Sequence, residues 1–81
     1  MFYKYLVMSM DIYAIPGKKV VYNLPNNGRA EDKEMAADYL LVNRVYTIKE
    51  MVLGENISFV KLKEVPGMQF NSVLFSNYIK P

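Results

Sequence analysis

The chain has 81 residues, 52% of them hydrophobic, and its ten Lys and Arg stand against eight Asp and Glu for a formal charge of +2. A chain this short forms one domain with a thin core, and its apolar content is too high for disorder. It has neither cysteine nor histidine, which excludes disulfides, Cys/His zinc sets and nucleophiles activated by imidazole, and the mixed charge announces no nucleic-acid partner.

The first residues, "MFYKYLVMSMDIYA", hold an apolar run without charge only from Tyr5 to Met10. A secretory core needs about 7–15 apolar residues and a membrane span about 20, so neither is expected. Residues 1–9 read as an extra strand or an arm able to join a second copy of the chain, and Met10 is an alternative start. Ile12 to Ile15 is a short β-prone run closed by Pro16-Gly17. Lys18 to Tyr22 reads as a strand and Asn23 to Gly28 as a loop. Arg29 to Leu41, "RAEDKEMAADYLL", is the one stretch that favours helix, free of Gly, Pro and β-branched residues. It reads as about two turns, with Asn27 as its cap. Glu31 and Asp32 then favour the helix dipole, and Glu34 and Asp38 lie on a solvated face.

Val45 to Leu53 and Ile57 to Glu64 read as a hairpin joined by Gly54-Glu55-Asn56. Alternation puts Ser58, Val60 and Leu62 on one face and Ile57, Phe59, Lys61 and Lys63 on the other. Tyr46 and Ile48 are expected in the core, and Glu64 is expected to pair with Lys49 or Lys63. Pro66-Gly67 reads as a turn, and Gln69 to Ile79 as a last strand or two. Five or six short strands with one helical insertion at about residues 29–41 predict a mainly β protein, a small barrel that hides its sheet edges.

Three segments, "GKKVVY", "LLVNRVYTIKEM" and "ISFVKLKEVPGMQFNSVLF", carry a resemblance. The chain resembles small SH3-like barrel proteins of prophages and mobile elements from gut anaerobic bacteria. Leu62, Glu64, Val65, Pro66, Gly67, Phe70, Asn71, Ser72, Val73 and Phe75 match the closing Leu-x-Glu-Val-Pro-Gly and Phe-Asn-Ser-Val-x-Phe motifs of that family. Asn43-Arg44 stands where Gly-Lys is usual, and Asn tolerates positive φ. The resemblance implies an SH3-like barrel of phage or mobile-element origin and says almost nothing about activity; the absence of cysteine fits the reducing host cytoplasm.

Phe70, Val73 and Phe75 are expected to fill the core, and Asn71-Ser72 to form a short 3₁₀ turn bending the last strand. The seven tyrosines are too many for a small core to satisfy, so several are expected at the surface. The candidate partner-binding residues are Tyr13, Tyr22, Lys18, Lys19, Arg44, Asn71 and Ser72. Neither a metal nor a cofactor is expected, nor catalysis. The leading expectation is a module that binds a protein partner and modulates a host or defence machine. The alternatives are a weak nucleic-acid binder using Lys18, Lys19, Arg44, Lys61 and Lys63, and an assembly protein joined through residues 1–9.

Overall fold

The computed structural model describes residues 9–80. The expected arm over residues 1–9 therefore lies, save for Ser9, outside the described residues. The fold is mainly β: five antiparallel strands in one open sheet and one helix. The strands are β1 (Lys19–Tyr22), β2 (Val45–Val52), β3 (Phe59–Leu62), β4 (Val65–Asn71) and β5 (Phe75–Asn77). Helix α1 spans Ala30–Tyr39, and a 3₁₀ turn, Ser72–Leu74, lies between β4 and β5. The strand order is β4-β3-β2-β1-β5, so β4 and β5 are the two edges.

That order forces the sheet to curl. Five flat strands at about 4.8 Å would separate the edges by roughly 19 Å. Yet the end of β4 reaches the start of β5 through three residues of 3₁₀ turn, which rise only about 6 Å. Bending the sheet brings the edges together at that corner and creates an inside. The alternation expected from the sequence fills it: Val20, Tyr22, Tyr46, Ile48, Val60 and Leu62 are buried from the strands, with Phe70, Leu74 and Phe75 from the closing segment. Phe75 packs on Tyr22 and Phe70 with ring centroids 5.8 and 6.5 Å apart. Each such side chain contributes about 1.5–3 kcal/mol through burial.

Several elements differ from expectation, each for a physical reason. Ile12 to Ile15 forms a turn instead of a strand, because the Asp11 side chain accepts the Tyr13 N–H at 2.9 Å and its carbonyl accepts that of Ala14. The chain reverses at Lys63-Glu64, where Leu62 pairs with Val65, and Pro66-Gly67 lies inside β4. An edge strand tolerates proline because its outward N–H has no ladder partner to lose. Gly67, at φ +86, takes up the irregularity in the β3–β4 register. Helix α1 runs ten residues, nearly three turns, and its N-cap is Arg29. Asn27 instead donates its side-chain amide to the Val73 carbonyl. Asn43 takes φ +69 in the turn before β2, the conformation its amide side chain makes affordable.

Candidate interaction surface

Two features meet where α1 packs on the sheet. The first is a buried polar junction. Ala36 and Leu40 are buried against the core, Tyr39 at the end of α1 lies 6.5 Å from Phe70, and the bond from Asn71 to Asp32 sets the first turn of α1 against the 3₁₀ turn. There Asp32, only 3% exposed, accepts from the Arg29 backbone N–H, from Arg29 Nε and Nη2, and from Asn71 Nδ2, all at 2.8–3.0 Å. Asn71 Oδ1 in turn accepts the Val73 N–H at 3.1 Å. The Arg29 side-chain bonds hold the Asp32 carboxyl down at about 2, overcoming the opposing pull of burial, and Asn71 adds to the effect. Gly28 sits against this junction at φ +86, where any Cβ would stand 3.3 Å from Asp32 Cβ and 3.5 Å from Val73 Cγ2.

The second feature is a groove of about 620 Å³ between α1 and the loop after β1. Its lining includes Pro25, Ala30, Ala37, Leu40, Leu41 and Val42, with Lys33 and Glu34 on the rim. Leu41 is 57% and Val42 54% exposed. Tyr46 fixes the segment that carries them, since its hydroxyl accepts the Leu41 N–H at 2.9 Å.

A third arrangement lies on the outer face of the sheet. Glu64 accepts the Thr47 N–H at 2.8 Å and the Thr47 hydroxyl at 2.7 Å, while Lys19 Nζ donates to Thr47 Oγ1 at 2.7 Å. So Glu64 pairs with Thr47, not with Lys49 or Lys63. Burial pushes its carboxyl up, but the two Thr47 bonds, its own backbone N–H and the Lys19 charge together outweigh that and leave it below its usual value.

The candidate partner residues do not assemble into one site. Tyr13 is 75% exposed in the Asp11 turn. Lys18 and Lys19 line a cleft of about 260 Å³ with Asp11, Ala14, Asn77 and Tyr78. Arg44 is exposed at the head of β2. Tyr22 is 1% exposed; its ring belongs to the core and only floors the groove. Asn71 and Ser72 are buried as well, and they build the 3₁₀ turn the sequence led us to expect. Sequence reasoning missed Leu41 and Val42, which read as the end of a helix and the start of the turn Val42-Asn43-Arg44. It also took Asp32 for a dipole partner, although the Arg29–Asp32 spacing of three is a signal for a first-turn pair.

Among the described residues no three carboxylates gather as a metal site, and no helix is long and apolar enough to cross a membrane. The class these observations define is a small mainly β protein built around a helix-braced closing turn. Residues 11–81 match the model of the family described as Bacteriophage T4 protein Y07B. The chain belongs to that family, a phage protein family whose description names no activity. Comparison with curated proteins gave no match, and comparison with solved structures gave none.

Proposed function

We propose that the protein is a non-enzymatic SH3-like interaction module that docks a protein partner in the groove beside α1, acting in the host cytoplasm on a host or defence machine. The SH3-like reading is supported by the strand order β4-β3-β2-β1-β5 with a 3₁₀ turn between the edge strands. The origin in prophages or mobile elements rests on the closing motif and agrees with the phage family.

The observation that carries the function is the Leu41-Val42 pair. Two consecutive aliphatic side chains, each more than half exposed, form the lip of an apolar groove. Isolated apolar residues at a surface are ordinary, but a contiguous apolar hollow with a polar rim is the anatomy of a docking site. Covering it removes apolar area from water without disturbing the fold. The exposed carboxylates of α1, Glu31, Glu34 and Asp38, favour a partner segment with apolar anchors and flanking positive charge.

The test compares the natural chain with Leu41→Asp/Val42→Asp as baits in lysate of phage-infected cells. The double variant should keep the melting temperature of the parent within a few degrees, since both positions are exposed. A partner retained by the parent and released by the variant is the expected result. Equal retention by both baits, or no specific partner on either, would sink the proposal.

A further inference from the structure

We infer that the outer face of β1, β2 and β3 is a binding surface for the phosphate backbone of single-stranded nucleic acid, separate from the groove beside α1. The observations begin with the pairing. Lys19 stands opposite Thr47, the Lys63 N–H donates to the Thr47 carbonyl, and Lys61 stands opposite Glu50. The inward set on these strands is Val20, Tyr22, Tyr46, Ile48, Val60 and Leu62. The alternating side chains Lys19, Thr47, Glu50, Phe59 and Lys61 therefore share the opposite face. Lys49 is exposed at the irregularity between Ile48 and Glu50, and Lys18 is exposed just before β1.

Lys19, Lys61 and Lys63 thus share this face, Lys18 stands beside Lys19 along the cleft that both line, and Lys49 sits at the bulge. The carboxylates around it are Glu50, paired with Lys61 at 3.7 Å, Glu64, bonded to Thr47, and Asp11 in the cleft of Lys18 and Lys19; five lysines against these three leave the surface cationic. Among the described residues, Lys61 alone of these lysines is in an ion pair. Lys19 gives one of its three donors to Thr47 and keeps the others. The exposed carboxylates Glu31, Glu34 and Asp38 lie instead on α1. The small net charge of the chain conceals this separation, and a local cluster of cations beside a neutral or acidic remainder is what attracts a polyanion.

The shape favours a single strand over a duplex. Three strands span about 10 Å before side chains are added. Lysines on them make the face broader than the roughly 12 Å major groove, so it cannot enter as a helix or a two-stranded ribbon does. The half-buried ring of Phe59 lies on the same face, two residues from Lys61, where a base can stack beside the cations.

The experiment is fluorescence anisotropy with a labelled 12-nucleotide oligothymidine, the matching duplex, and vesicles containing phosphatidylserine. The full chain should bind the single strand at 25 mM salt. The affinity should fall with a log–log salt slope of about −2 to −3, as expected when three or four of these lysines contact phosphates of a single strand. Lys19→Gln/Lys63→Gln should weaken binding at least about tenfold, with an unchanged far-ultraviolet spectrum and a melting temperature within a few degrees, since the amide at position 19 can still donate to Thr47 Oγ1. Phe59→Leu, which keeps apolar packing, should weaken it about fivefold through lost stacking. Lys33→Glu, beside the groove, should leave it unchanged. Absent binding at low salt, equal binding by the lysine double variant, or preference for duplex or vesicles would each overturn the inference. The Leu41→Asp/Val42→Asp protein should bind the oligonucleotide like the parent, so the two proposals fail separately.

Discussion

Asp32 and Glu64 hold the same kind of post in two regions of the molecule. Each carboxylate accepts a backbone N–H and side-chain donors, and each lies below its usual titration range. Their surroundings differ. Asp32 is buried, partnered by the Arg29 guanidinium and the Asn71 amide, and joins α1 to the 3₁₀ turn. Glu64 sits in the exposed β3–β4 turn and holds Thr47 of the neighbouring strand. A buried acceptor has no water to replace a lost donor, whereas an exposed one exchanges partners with solvent at little cost. Similar bond lengths therefore imply different contributions, and the junction at Asp32 fixes where the helix sits.

The comparison breaks most sharply with Asn71→Asp. This places a second carboxylate about 3 Å from Asp32, where two negative charges share one cation. Chemical denaturation at pH 7 should show a loss of about 3 kcal/mol or more. The deficit should shrink at acid pH, as one of the pair takes a proton.

Asp32→Ala comes next. It strands the Asn71 amide and the Arg29 N–H without an acceptor, and about 2–3 kcal/mol should be lost in the same measurement. Half-exposed Arg29 regains water, which keeps the figure below that of a fully buried pair.

Acid titration separates the two carboxylates. The folded Asp32 titrates near 2 against an ordinary 3.8, so its contribution is complete above about pH 4 and is lost as pH falls from there toward 2. A difference of that size corresponds to about 2 kcal/mol. In Asp32→Asn this segment of the acid transition should flatten. In Glu64→Gln it should persist, and a flattened curve there would show that the wrong carboxylate had been credited.

The smallest effect belongs to Glu64→Gln at pH 7. Exposure screens the interaction, and a few tenths of a kcal/mol is expected from thermal melts. A loss as large as that of Asp32→Ala would erase the distinction between the two posts.

Local chemistry made much of the fold legible. The alternation in Tyr46-Thr47-Ile48 and in Ser58 to Leu62 named the inward faces correctly, because a strand's period of two needs no knowledge of its neighbours. The helix was legible from composition, and the bend at Asn71-Ser72 from side chains that bond nearby backbone. The Pro66-Gly67 turn was misplaced because proline's meaning depends on whether its strand lies at an edge, a property of the whole sheet. The candidate site was legible only in fragments. Lys18, Lys19, Lys61 and Lys63 were legible as cations, but the register that gathers three of them around Thr47 and Glu50 was not. Tyr22 was placed at the surface by a count of phenols, while its position in β1, between β2 and β5, put it inside.

The sequence by itself determined the chemistry available, a cysteine-free and histidine-free chain of short strands with one helix, since composition and period act through nearest neighbours along the chain. Only the tertiary structure decided that Asp32 would meet Asn71 across 39 positions, that Leu41 and Val42 would be left facing water, and that Lys19, Lys61 and Lys63 would share a face. Those outcomes follow from sheet curvature and helix docking, which bring together residues that no local pattern relates.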